Sequence, residues 1–269
     1  MAAPDIRLIA VDMDGTLLDP AGRIPDGLWP LLDRLRERGI AFAPASGRQL
    51  ATLQRSFGAA GRDLDYIAEN GAYVVREGTE VSSDALDPVF VRDVILRLRG
   101  HVAAGDLRIG IVVCGKESAY IEGSDPVFRA EVEKYYARLT VVDDLRAVDD
   151  QVLKLAVFDH DGGEAHTAPL LTDVAATHQV VVSGPHWVDI MNAGVNKGVA
   201  LRNLQQALGV DRAQTAAFGD YLNDIELLQV ADWSYAMADA HPDVVAVANH
   251  RAPSNAEHGV ITTIEALLG

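Results

Sequence analysis

The chain has 269 residues, with 39 acidic against 23 basic side chains and a formal net charge of −16. Apolar residues make up 49% and charged ones 23%, enough side chain to bury against the entropy of ordering, which excludes disorder as the main state. The acid surplus excludes a nucleic-acid backbone as principal partner, because that binding draws on surplus Lys and Arg.

Such a length fits one large or two modest domains. The single cysteine, Cys114, cannot close an internal disulfide, so a reducing cytoplasm is the expected home. No basic run leads into a long apolar stretch near the start, and the short apolar segment 8–11 is stopped by Asp12. Neither a signal peptide nor a membrane span is therefore expected.

In chain order, the β-branched run 6–11 reads as a buried strand ending in Asp-Met-Asp-Gly. Leu28, Leu31, Leu32 and Leu35 follow at helical spacing. Gly39 stands where a left-handed helix end is wanted, and Pro30 is tolerable only in the first turn. A strand over 40–45, a helix over 49–57 and a strand over 66–68 continue a β-α-β-α-β rhythm, which predicts a parallel sheet covered by helices. Asn70-Gly71 then reads as a hairpin turn into 73–75.

Between about 83 and 186 the rhythm breaks. Strong alternation over 107–113, strand signals over 152–158 and 180–183, and helical patches over 88–98, 126–138 and 169–177 predict an α+β insert with its own sheet. The α/β rhythm is expected to resume with a strand over 188–191 and a helix over 199–208. A strand over 215–218, a helix over 225–230, a strand over 234–237 and two short helices around Val244 and Ile264 follow. The fold class expected is α/β, a Rossmann-like doubly wound parallel sheet formed by 1–82 and 187–269, carrying an inserted α+β cap at 83–186.

Chemistry concentrates at strand ends, where ligands sit in open α/β sheets. Asp12 and Asp14 end the first strand, and Gly15 permits the chain to curl so that both face one crevice. Two carboxylates about 4 Å apart repel by roughly 4 kcal/mol at an effective dielectric near 20, so a cation or a shared proton has to offset them. A calcium loop of the EF-hand type is excluded, because Gly15 and Arg23 fall where that loop needs other residues. Ser46-Gly47-Arg48 ends a second strand, Gly219-Asp220 to Asn223-Asp224 a third, and Lys197 opens a helix after the strand expected at 188–191.

These clusters, in this order, resemble the four motifs of the haloacid dehalogenase (HAD) superfamily, and of its Cof-type phosphatase branch. Asp12 to Leu18 is similar to motif one, Ser46-Gly47-Arg48 to motif two, Lys197-Gly198 to motif three, and Gly219-Asp220 with Asn223-Asp224 to motif four. Asn70-Gly71-Ala72 and the segment from Pro253 to Val260 add to the likeness, while the insert resembles the branch only in position and class. The resemblance implies a Mg²⁺-dependent phosphatase acting on a small phosphorylated metabolite such as a sugar phosphate, nucleotide or cofactor phosphate. Asp12 is then the nucleophile, Asp14 the general acid and base, and Lys197 the residue holding Asp12 and phosphate together. Ser46, Gly47 and Asn223 bind the phosphoryl oxygens, and Asp12, the Asp14 carbonyl, Asp220 and Asp224 hold the metal. Charge points the same way, because four carboxylates against one lysine leave an excess that a phosphate dianion would deepen. Oxygen ligands without a Cys/His cluster favour Mg²⁺ over Zn²⁺.

Alternatives are a HAD phosphomutase, a sister-branch sugar phosphatase, and a phospho-accepting signalling receiver. The receiver fits less well, since its acceptor Asp ends an internal strand and Asp14 would give the phospho-form a route to hydrolysis. Elsewhere the expectations are structural. Arg48 is read as capping its helix before touching substrate, Lys154 as lying on an exposed sheet face, and Cys114 as a buried small hydrophobe. The pairs Asp143-Asp144 and Asp149-Asp150 are read as solvated.

Overall fold

The computed structural model describes residues 4–123 and 125–269. These fall into two compact units, one comprising the chain up to Ser82 together with Asn196–Gly269, the other Ser83–Val195. The strands are β1 (Leu8–Asp12), β2 (Ala41–Ala45), β3 (Tyr66–Ala68), β4 (Tyr73–Arg76) and β5 (Thr79–Ser83). Next come β6 (Ile109–Gly115), β7 (Ala119–Ile121), β8 (Leu139–Val141), β9 (Val152–Asp159), β10 (His178–Gly184) and β11 (Trp187–Asn192). The last are β12 (Thr215–Gly219), β13 (Trp233–Ala236) and β14 (His250–Arg251). The helices are α1 (Leu28–Glu37), α2 (Leu50–Phe57), α3 (Pro88–Ala104), α4 (Pro126–Tyr135), α5 (Lys197–Leu208), α6 (Ile225–Gln229), α7 (Pro242–Val247) and α8 (Gly259–Leu268).

The first unit is a doubly wound α/β layer structure. Its eight-stranded sheet runs β14-β13-β12-β1-β2-β3-β4-β5, parallel from β14 to β3, with β4 antiparallel to β3. Alternation along β1 sorts its side chains into two cores. Ile9 and Val11 pack with Leu28, Leu31 and Leu35 of α1, Leu53 of α2 and Ile264 of α8. Leu8 and Ala10 pack on the other face with Ala200, Leu201 and Leu204 of α5, Leu227 of α6 and Val244 of α7. The hydrophobic spacing of α1 is satisfied as read. Pro30 sits in its first turn and Gly39 just past its end, at φ +66°. The Asn70 turn joins antiparallel β3 and β4, with Glu69 and Asn70 both in left-handed backbone.

The second unit has its own six-stranded sheet, β10-β11-β9-β6-β7-β8, antiparallel except between β7 and β8. The α3 helix covers one face with Val91, Val94, Ile95 and Leu98, and α4 covers part of the other with Phe128 and Val132. Both helices start where the sequence placed them, and in the structure each has a Pro at its start behind an Asp whose carboxylate accepts backbone N–H groups.

Three expectations are corrected. The strand over 188–191 does not rejoin the parallel sheet: β11 pairs antiparallel with β9 and β10, and the compact units divide after Val195, not before Trp187. Alternation marks a strand without saying which sheet it joins. Lys154 is not on an exposed face. It is 4% exposed, in a central strand buried along its whole length, and its ammonium lies 3.4 Å from Asp189 of β11. The acidic pairs are not simply solvated either. Asp144 caps a turn by accepting the Arg146 N–H, and Asp150 accepts the Glu117 N–H and the Tyr120 hydroxyl. Cys114 is buried, as read. Among the described residues no helix is long and apolar enough to cross a membrane.

Candidate active site

The parallel register brings the chemistry of the first unit together. Asp12 lies opposite Ala45, and Val11 lies opposite Phe218 on the other side. The segments that follow these strands, Met13–Leu17, 46–48 and 220–224, therefore leave from neighbouring points on one sheet edge. After Asp12 the chain makes an irregular helical turn in which Gly15 takes φ +82°. A Cβ at Gly15 would fall 2.3 Å from Asp220 Oδ2, so glycine serves both the left-handed backbone and the close approach. Within the same turn Thr16 donates its hydroxyl to Asp220 Oδ1 at 2.7 Å.

Lys197 reaches the site from the first turn of α5, without a core strand leading into it. Its neighbour Asn196 caps the helix by accepting the Val199 N–H. Gly198 allows an approach so close that a Cβ would lie 2.3 Å from the Glu226 carbonyl oxygen. The lysine is 1% exposed. Its ammonium donates to Asp12 Oδ1 at 2.5 Å and to Asp224 Oδ1 at 2.7 Å. The second Asp224 oxygen accepts the backbone N–H groups of Asp220 at 3.0 Å and Tyr221 at 3.3 Å. Asp224 thus joins the lysine to the loop that carries Asp220.

Carboxylate oxygens of Asp12, Asp220 and Asp224 all lie within 4.8 Å of one another, and one ammonium faces them. Burial pushes the Asp12 carboxyl well above its usual range, the charge of Asp224 adds to this, and Lys197 opposes it. Asp220 is pushed up to about 6, first by burial, against the Thr16 hydrogen bond. Burial alone would lower Lys197, but the charges of Asp12 and Asp224 outweigh it and keep the ammonium protonated. The cluster is short of positive charge. Its donor set, carboxylate oxygens only, fits a hard divalent cation of the Mg²⁺ kind.

Asp14 stands outside this trio, with its side chain 63% exposed. Arg48 does not cap its helix; its guanidinium forks onto Asp14, Nη2 to Oδ1 at 2.6 Å and Nε to Oδ2 at 3.1 Å. Ser46 Oγ accepts the Arg48 N–H at 3.2 Å. Gly47 packs against the Asn70 amide, which also accepts a hydrogen bond from Asn223 Nδ2 at 3.4 Å. The roles of Thr16 and Asn70 and the pairing of Arg48 with Asp14 were not read from sequence. Thr16 lies within the Asp12 motif, where a hydroxyl carries no visible assignment, and Asn70 was legible as a turn residue and as part of the family likeness, without a contact assigned to it.

The haloacid dehalogenase-like hydrolase family matches residues 9–264. A 5-amino-6-(5-phospho-D-ribitylamino)uracil phosphatase, YbjI, of Escherichia coli is 34% identical over 266 residues, spanning 98% of this chain and 96% of the relative. An HMP-PP phosphatase of Cronobacter sakazakii is 29% identical over 91% of this chain and 88% of its own. The crystal structure of SMU.1108c from Streptococcus mutans superposes with a TM-score of 0.83 at 27% identity, covering 98% of this chain and 99% of that one. Matched along nearly its whole length, and with the acidic cluster at the strand ends, the chain belongs to the haloacid dehalogenase-like hydrolase family and is an enzyme of its phosphatase kind.

Proposed function

We propose that the enzyme hydrolyses a phosphate monoester of a small metabolite through an aspartyl-phosphate on Asp12, with Mg²⁺ as cofactor. The observation that carries this is the trio of buried Asp12 and Asp224 and half-buried Asp220 around Lys197, too negative to accept a phosphate dianion unaided. The Asp12 and Asp220 carboxylates and the Asp14 carbonyl would hold the ion, with Asp224 ligating it or orienting a bound water. When bound, the ion supplies charge neutralisation, so that an anionic nucleophile and an anionic phosphate can approach.

The chain's own residues account for the rest. An Asp12 oxygen attacks phosphorus and the phosphorus–ester oxygen bond breaks; Asp14, released from the Arg48 fork and protonated, gives its proton to the departing oxygen. Water then attacks phosphorus, Asp14 takes back a proton, and Asp12 returns as a carboxylate. Lys197 holds Asp12 in line and offsets charge on the phosphoryl group. The Ser46 hydroxyl, the Gly47 N–H and the Asn223 amide offer hydrogen bonds to its oxygens. The second unit, Ser83–Val195, is the part to which we assign substrate specificity. Both named relatives act on small phosphorylated metabolites, which supports the same substrate class here.

The test is the rate of p-nitrophenyl phosphate hydrolysis with Mg²⁺ and with EDTA, for wild type and Asp12→Asn. Chelation should stop the wild type reversibly, and the variant should lose about 10³-fold or more in kcat. A variant retaining a tenth of the rate, or a wild type indifferent to EDTA, refutes the reading.

A further inference from the structure

Four of the six residues over 219–224 have work at the cluster or in shaping it. The other two, Tyr221 and Leu222, stand between Asp220 and Asn223 and are 59% and 40% exposed. One exposed apolar side chain needs no account. Two in succession on a loop held this firmly do, because polar residues would serve water as well. The Tyr221 N–H donates to Asp224 Oδ2 at 3.3 Å, its carbonyl accepts the Asp224 N–H at 2.9 Å, and the Asp220 carbonyl accepts the His241 N–H at 2.8 Å. The ring is braced as well. The His241 imidazole meets it nearly at right angles, with centroids 5.9 Å apart and planes at 82°. That imidazole is steadied in turn by the Asp243 N–H, which donates to Nδ1 at 3.2 Å.

A braced aromatic ring left largely uncovered is a preorganised contact surface, since little side-chain freedom remains to be lost on binding. Binding sites combine such apolar surfaces with a few placed polar groups. Here the polar groups are one residue away, and consecutive Cα atoms are about 3.8 Å apart. A leaving group that extends from a phosphate at Asp220 toward the Tyr221 side of the loop would meet the phenol ring.

We propose that Tyr221 is a specificity-determining residue, and that the substrate's leaving group carries a planar unsaturated ring, aryl or nitrogen heterocycle, which stacks on it. This rests on the phosphatase reading above and narrows its substrate class. A plain acyclic or saturated leaving group offers no flat face and would leave the tyrosine idle.

The experiment compares wild type, Tyr221→Ala and Tyr221→Phe, all with Mg²⁺, on p-nitrophenyl phosphate, which has a ring, and acetyl phosphate, which has none. The readout is the ratio of the two kcat/KM values. Tyr221→Ala should lower that ratio about tenfold, mainly through KM for the ring-bearing probe, while Tyr221→Phe should keep it within about twofold of wild type. An unmoved ratio in Tyr221→Ala, equal losses on both probes, or a Phe variant as impaired as the Ala variant overturns the inference alone. A wild type inert on both probes overturns the phosphatase reading, and this inference with it.

Discussion

Replacing Lys197 by Met keeps most of the apolar stem of the side chain and removes its charged ammonium with the hydrogen bonds it donates. In wild type that charge neutralises Asp12 at 2.5 Å and Asp224 at 2.7 Å from within the protein. Taking away one partner of a buried ion pair costs about 3–5 kcal/mol, because the remaining charge is left uncompensated. For a chain of this size about 1 kcal/mol moves the unfolding midpoint by roughly 2–4 °C, so a fall on the order of 10 °C is expected in EDTA at pH 8. The sign with pH follows from the carboxylates. Burial already raises Asp12 and Asp220 above their ordinary value, and loss of the ammonium raises them further in the folded state. A raised folded-state value favours folding at low pH and is lost as pH rises. The penalty of the variant is therefore full at pH 8 and shrinks toward pH 5 as the carboxylates take up protons. Saturating Mg²⁺ should shrink it too, by supplying the missing charge. Thermal unfolding followed by circular dichroism at both pH values decides the matter. A midpoint drop below about 3 °C in EDTA at pH 8, or one equal at pH 5 and pH 8, refutes the reasoning.

Gly15→Ala would drive a methyl into Asp220 Oδ2, 2.3 Å from the ideal Cβ, at a residue with φ +82°. It should weaken Mg²⁺ activation by about 10–100-fold in a metal titration of the rate; unchanged activation would show that Asp220 does not hold the metal. Thr16→Val keeps the shape but removes the 2.7 Å hydrogen bond to Asp220, so the metal concentration for half-activation should rise several-fold. Asp65 is buried and its carboxyl is pushed up to about 6 from 3.8, chiefly by burial against the pull of Arg76. Its protonated form favours folding below pH 3.8, and that contribution is lost as pH rises through about 6. Asp65→Asn should therefore be more stable than wild type at pH 8, by up to roughly 3 kcal/mol, and no more stable at pH 4. A denaturant titration that finds the same difference at both pH values contradicts this.

Much of the first unit was legible because its strands obey simple rules. Residues 8–11 are short, apolar and stopped by a carboxylate, and 215–218 repeat the pattern, so the strand ends that hold Asp12 and Asp220 could be read directly. Lys197 was readable as chemistry only through its motif, since a first-turn lysine is ordinarily solvated and nothing local announces 1% exposure. The second unit was read less well for physical reasons. Strands of three residues such as Ala119–Ile121 and Leu139–Val141 are too short to display a period. The patch at 169–177 forms two separate single turns, Ala168–Leu171 and Val174–Ala176, rather than a helix, because its apolar spacing spans too few turns to choose. The Arg48–Asp14 fork joins residues 34 apart through a strand-end geometry that local pattern does not encode.

The pairing of β1 with β12 has a bearing on how the enzyme comes into being. Thr16 and Asp220 touch although they stand 204 positions apart, so a chain emerging from the ribosome carries Asp12 almost from the outset yet lacks the residues that surround it in the fold. Lys197 is made first of the residues that surround Asp12, and Asp220 and Asp224 follow it, so the cluster can be completed only late in synthesis. Contacts of such long range are slow to close, and the cluster cannot assemble before most of the chain has been made.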